Sequence, residues 1–378
     1  MIKFIKLLVR IGIIILLVIG LVTLINLEKN PDICEKMTRG FARFNNMVAS
    51  KISSVVPFSL TELSFVILGS ITILLFVIAI ILLIRKKFFG ALYRLVEIAC
   101  LVLITIDVYH LSCEFAYRRE PIPLPYYEGE IAREEHVHIF NYFADDLNAC
   151  INQLEFDDNG DVKTSMSLND IAKEVKTAYE IVKDNDYYAS HFGSVKPMLS
   201  SFLYREFHIT GVTYSPLGEA NINTLNVQSD IPFTVAHELA HTKGVMREDD
   251  ANQLAFYVCL NSHHPYLRYS AYLRYFDQIE RIASNYYLIT QEEQDARHLD
   301  YQAVYYKNYN YEIAYWKKHD LLKNIGEFFN DLYIKSSGVK EGTTSYNGGT
   351  TSETDPSTRK LTRPSEYQKL FFEKYYRS

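Results

Sequence analysis

Val235-Ala236-His237-Glu238-Leu239-Ala240-His241 holds the one pattern in this chain that states a chemistry. On a helix, His237 and His241 are one turn apart on one face, so both imidazoles can reach a single cation. Glu238, beside the first of them, can serve as general base for a water molecule at the metal. With 11 His and 26 Glu among 378 residues, chance supplies such a match roughly 0.02 times per chain of this composition. The expected cofactor is therefore Zn2+. The expected reaction is hydrolysis, with a peptide or protein substrate.

A catalytic zinc site needs a third protein ligand and one open position. Gly244 can take the left-handed conformation that ends a helix and turns the chain back. Where some zinc peptidases keep a third histidine, three residues after that Gly, this chain has Arg247, which cannot ligate. The acids that follow can. Glu248 is the first choice of metal ligand and Asp249 the alternative. Asn252, one turn after Glu248, stands where an orienting partner for a histidine ligand is expected. The bland explanation is that Glu248, Asp249 and Asp250 simply favour a helix N-terminus. An oxyanion donor could come from His208, Tyr214, His263, His264 or Tyr269, and the residues alone do not choose among them.

The elements that must position this motif divide the chain. Residues 11–27, 63–84 and 95–113 are apolar runs near the length that crosses a bilayer. Only the third contains ionisable groups, Glu97, Asp107 and His110. These read as polar contacts near an interface, or as an ion path. The first run lacks a small-residue cleavage site and reads as an uncleaved anchor rather than a signal peptide. Arg85, Lys86, Lys87 and Arg94 in the second connector, and a basic N-terminus, point these parts to the cytoplasm. Three crossings then place the rest of the chain outside, as a multi-pass protein of the cell membrane. A lipid bilayer is thus an expected partner. Nucleic acid is not, since the net charge is −6. Five scattered cysteines make neither a disulfide framework nor a thiolate zinc site.

Four parts are expected: a three-helix membrane domain (1–115), a Pro-rich linker (116–130), a zinc-peptidase-like domain (131–335) and a flexible low-complexity tail with a short terminal segment (336–378). The fold class is mainly α, with a mostly helical, zincin-like α+β domain carrying a small sheet. Phe140, Phe143, Leu147, Cys150 and Leu154 form one helical stripe, and Ser167 with Asp170 opens a second helix. Residues 207–214 alternate as a strand, which could be a peptide-binding edge or an ordinary core strand. Residues 215–223 read as a loop. Helices follow from about Pro232 and from about Arg247.

Tyr214–Asn221 (YSPLGEAN), Pro232–His241 (PFTVAHELAH), Arg247–Asn252 (REDDAN) and Tyr269-Ser270 together resemble a bacterial membrane-protein family, the domain-of-unknown-function family 3810. PFSLTE at 57–62 and FAYRREP at 115–121 resemble it too, and the likeness runs over most of residues 5–335. It implies a membrane-anchored, zinc-metallopeptidase-like protein in which His237, Glu238 and His241 match the family's HELAH and Glu248 its acidic motif. It implies no substrate. A different class of reading is a non-catalytic membrane sensor or scaffold with a structural or vestigial zinc site. The retained Glu238 separates the two, because a structural site needs ligands but no base.

Overall fold

The computed structural model describes residues 2–131, 133–182, 186–276, 278, 301–348, 350–355 and 360–377. It is mainly helical. α1 (Ile2–Leu27), α4 (Leu60–Ile84) and α5 (Phe88–Tyr109) are the apolar runs. Together with the extension of α5 to Tyr117, they make three helices long and apolar enough to cross a membrane. Their backbones are satisfied within each helix, and most of their side chains face outward, as lipid requires. α5 packs between α1 and α4. Its Glu97 meets Arg10 of α1 at 2.9 Å and Arg94 at 2.6 Å.

Between α1 and α4 lie α2 (Pro31–Met37) and α3 (Arg43–Ser53). The sequence reading counts them with the membrane domain, but their polar face docks elsewhere. Asn46 Nδ2 donates to the Ser215 carbonyl (3.3 Å), Ser50 Oγ to that of Gly218 (3.0 Å), and Lys196 Nζ to that of Ser53 (3.0 Å). Hydropathy cannot reveal such pairings, because each partner lies more than 140 residues away in sequence. α5 continues through a π turn (His110–Glu114) into the short α6 (Phe115–Tyr117). The Pro-rich segment after it runs as an arm over the domain, burying Ile122 and Leu124. Arg119 locks the arm down. Its guanidinium holds Glu35 of α2 at 2.6 and 2.9 Å, donates to the carbonyls of Gly244 (3.1 Å) and Tyr187 (2.9 Å), and stacks on the Tyr187 ring. This guanidinium keeps the Glu35 carboxyl down at about 2.

The extramembrane core is built from α7 (Arg133–Ile151), α8 (Leu168–Ile181), α9 (Ser201–Glu206), α10 (Ile231–Thr242), α11 (Glu248–Leu260) and α12 (Pro265–Arg274). The expected stripe on α7 is buried at Phe140, Phe143, Leu147 and Cys150. Ser167 and Asp170 form the capping box of α8. α13 (Tyr301–Lys318) and α14 (Lys323–Ser336) follow. Alongside the short pair β1 (Glu155–Phe156) and β2 (Val162–Lys163), the main sheet comprises β3 (Ser194–Pro197), β4 (Gly211–Tyr214) and β5 (Glu219–Ile222), in the order β3-β5-β4. β5 runs parallel to β3 and antiparallel to β4.

Two expectations give way here. Residues 215–223 contain the central strand β5, hidden from a hydropathy reading because two of its four residues are Glu219 and Asn221. Glu219 is fully buried, and its carboxylate accepts from Leu60 N, Thr61 N and Thr61 Oγ1 at 2.9–3.2 Å. It thereby caps the N-terminus of α4 and bolts the sheet to a transmembrane helix. The C-terminal residues also depart from a flexible tail. An antiparallel pair of strands (β6, Glu353–Asp355; β7, Lys360–Arg363) precedes α15 (Glu366–Arg377). Tyr367, Leu370, Phe371 and Phe372 of α15 are fully buried in the same core as α11. Burying side chains of that size contributes about 1.5–3 kcal/mol each, which low-complexity flanks do not foretell.

Candidate metal site and its cavity

α10 begins with Pro232 in its first turn and buries nearly every face: Val235, Ala236, Leu239 and Ala240 are fully inaccessible. It therefore cannot rotate, and the side of His237 and His241 is turned to a cavity of about 810 Å³. The helix ends where expected. Gly244 has φ +86°, and Val245 N returns to the Ala240 carbonyl at 3.1 Å. The Val245 carbonyl then lies 2.8 Å from His241 Nδ1. A proton on Nδ1 leaves the Nε2 lone pair free to ligate. The same turn delivers α11 with Glu248 foremost.

His237 Nε2 and His241 Nε2 are 3.0 Å apart, and Glu248 Oε2 lies 3.2 Å from the first and 3.6 Å from the second. Bonds of 2.0–2.1 Å to a tetrahedral zinc would separate ligand atoms by about 3.3–3.4 Å. The three atoms thus already occupy three corners of such a tetrahedron. Glu248 Oε2 is buried without a hydrogen-bond partner in the structure, an arrangement that burial penalises unless something else binds it. Two imidazoles and a carboxylate are a donor set that fits zinc, and these three residues could hold it. Burial drives the Glu248 carboxyl up, but the two imidazoles outweigh this and bring it to about 2. Burial likewise pulls His241 down, and the Glu248 carboxylate overcomes it, raising His241 to about 9.

Glu238 is buried beside the cluster. Burial raises its carboxyl above the ordinary range, against the pull of His237 and His241. Thr213 Oγ1, on β4, donates to Glu238 Oε2 at 2.7 Å and lies 3.0 Å from the Glu238 carbonyl. β4 can approach this closely because residue 211 is Gly: a Cβ there would sit 2.5 Å from Glu238 Oε1.

The other candidates separate. Asp249 turns away and pairs with Arg247 at 2.8 and 3.2 Å. Asn252 lines the cavity, but its amide donates to the Tyr346 carbonyl (3.2 Å), not to an imidazole. One turn beyond Glu248, its face of α11 meets the 342–347 turn instead of α10. His237 Nδ1 has no hydrogen-bond partner in the structure, so the expected orienting role of Asn252 is not found. His208 and Tyr214 line the cavity. His264 caps α12, and Tyr269 is buried against Phe156 and Tyr305. Thr213, Gly211, Tyr333 and Tyr346 were not among the sequence candidates. Only the alternation of Gly211 and Thr213 within the expected strand hinted that they share a face.

A family model described as "Protein of unknown function (DUF3810)" matches residues 38–350. Among curated proteins and solved structures, none matches the chain. The matched stretch contains α4, α5, the sheet, the His–His–Glu cluster and the 342–347 turn, well over half of the chain, which therefore belongs to this family.

Proposed function

We propose that the protein is a membrane-anchored zinc metallopeptidase. The observation that carries this reading is the triangle of His237 Nε2, His241 Nε2 and Glu248 Oε2, with no hydrogen-bond partner for that Glu248 oxygen among the described residues and Glu238 buried beside it. A zinc ion held there would polarise a scissile carbonyl and bring the pKa of its water towards about 7. Glu238 takes the proton from the attacking water and returns it to the leaving amine. Desolvation raises its basicity, and Thr213 fixes one of its oxygens. β4 is an edge strand whose length lines the cavity wall, so an extended peptide can pair with it as an added strand.

In this reading the cavity side of the molecule is extracytoplasmic. The 28–59 connector and the chain after Arg118 pack together at one end of the helices, and the basic residues 85–87 sit at the other. The basic loop then faces the cytoplasm. A purely structural zinc site has no use for Glu238, which weighs against a scaffold.

The test is metal analysis of the purified full-length protein alongside a peptide-library cleavage screen. One zinc per chain, lost in H241A and retained in E238Q, with cleavage lost in both variants, is the expected result. Absence of metal in wild type, or cleavage unaffected in E238Q, would overturn the reading.

A further inference from the structure

The cavity that holds the His–His–Glu cluster is walled by both regions of the molecule. At one end stand His237, Glu238 and Glu248. At the other stand Phe65 of α4, with Tyr109 at the end of α5 and Cys113 in the π turn that continues it. Phe65 lies five residues into α4, about 7.5 Å along it at 1.5 Å per residue. The cavity floor is thus made of the transmembrane helices themselves.

Two exposed apolar stripes flank this floor. Ile325, Phe328, Phe329 and Leu332 follow i, i+3, i+4, i+7 spacing on α14 and are 48%, 63%, 62% and 56% exposed. Leu199 and Phe202, at the start of α9, are 72% and 63% exposed. Each stripe is fastened to a transmembrane helix. Leu199 N and Ser200 N donate to the Glu62 carboxylate in the first turn of α4, at 2.7 and 3.0 Å. Tyr333 and Ser337, at the end of α14, hydrogen-bond the Tyr109 hydroxyl of α5 at 3.1 and 2.9 Å. Apolar side chains this exposed, continuous with the ends of membrane helices, belong in the bilayer interface.

β4 joins the two ends of the cavity. Tyr214 packs edge-on against Phe65, with ring centroids 5.5 Å apart, while Gly211 and Thr213 touch Glu238. A strand of this length spans only about 10 Å. A segment paired with β4 would therefore leave the membrane helices and reach Glu238 within a few residues.

We infer that the cavity is entered sideways from the bilayer, and that its occupant is the juxtamembrane segment of a membrane-anchored polypeptide. The substrate class rests on the peptidase reading; the entry route rests on the apolar stripes and the floor. The stripes on α14 and α9 lie in the headgroup region, and an anchored chain slides between them onto β4.

The probes are synthetic Leu/Ala membrane helices bearing 20-residue tails with photo-leucine at successive positions, and the same tails as free peptides. Full-length, zinc-loaded E238Q protein is reconstituted with them in phosphatidylethanolamine/phosphatidylglycerol vesicles. Anchored tails should crosslink to β4 at least tenfold more than free tails, most strongly from positions within about ten residues of the membrane helix. I325S/F328S/L332S, whose residues do not line the cavity, should remove most of that advantage while keeping the wild-type zinc content. W316F/F328W should show its single tryptophan quenched by brominated lipid, which reads the stripe's position whatever the fate of the triple variant. Equal crosslinking of anchored and free tails, indifference to distance from the membrane, or an unquenched tryptophan in W316F/F328W would each overturn the proposal. Wild-type protein separates the two layers. Anchored tails that crosslink but are never cut sink the peptidase reading and support the route. Free and anchored tails cut alike support a peptidase and sink the route.

Discussion

Two of the histidine–glutamate groupings among the described residues are built to different ends. At the end of the membrane helices that meets the extramembrane core, His110 Nδ1 meets Glu28 Oε1 at 2.6 Å, Arg118 lies 3.7 Å from the other Glu28 oxygen, and Arg118 also holds Glu114 at 2.9 Å. Each acid there faces a cation. Arg118 is the cation common to both acids, and the grouping fastens the end of α1 to the end of α5, although Glu28 Oε2 and Arg118 Nε make no hydrogen bond among the described residues. In the cavity, two imidazole nitrogens 3.0 Å apart converge with one carboxylate oxygen, which lies 3.2 and 3.6 Å from them. The first is a strut of paired side chains. The second brings three ligand atoms together at the wall of a cavity. Convergence, more than the presence of His and Glu, distinguishes a ligand set from an ion pair.

Substitution can break this contrast. H241A should abolish stoichiometric zinc, read by elemental analysis, while H110N should leave the zinc content unchanged. Equal metal loss in both would dissolve the distinction. Next in size is E238Q, which should keep its metal yet lower peptide cleavage about 10²–10⁴-fold, the usual worth of a placed general base. G211A probes the same carboxylate from outside. Its new Cβ would meet Glu238 Oε1, so cleavage should fall at least about tenfold at unchanged zinc content, each tenfold being about 1.4 kcal/mol of transition-state stabilisation.

Acidity sharpens the comparison further. His241, held up at about 9 by Glu248, carries a proton at neutral pH in the metal-free chain, and zinc must displace it. Apparent zinc affinity should rise about tenfold per pH unit from near 6.5 to near 9 and then level off, as followed by competition with a chelating dye. A flat profile would contradict a His241 raised by Glu248. In the metal-free chain the same pairing stabilises the fold fully below about pH 6.5, and this contribution is lost as pH rises through about 9. The smallest effect belongs to the strut. H110N leaves Glu28 with Arg118 and should cost about 1–2 kcal/mol in thermal unfolding in detergent.

The spacing of His237, Glu238 and His241, the turn at Gly244 and the three apolar runs were legible without coordinates. Each is a local property: helical periodicity, backbone freedom at Gly, or unbroken apolarity over a bilayer's thickness. Which acid completes the triangle was only half legible. Glu248 and Asp249 are equivalent in a first helical turn, and the rotation of α11 against α10 decided between them, turning Asp249 to Arg247. Asn252 was read by analogy of position, and the turn carrying Tyr346 claimed it instead.

The sequence by itself determined a membrane-anchored chain with an HExxH helix, because those features rest on neighbours in the chain. The tertiary structure alone decided that polar β5 is a central strand, that α3 clasps the sheet, that α15 completes the core and that the cavity has transmembrane helices for its floor. Those outcomes depend on partners far apart in sequence. Glu219 is an example: its buried charge is tolerable only because α4 presents the backbone N–H groups of Leu60 and Thr61 to it.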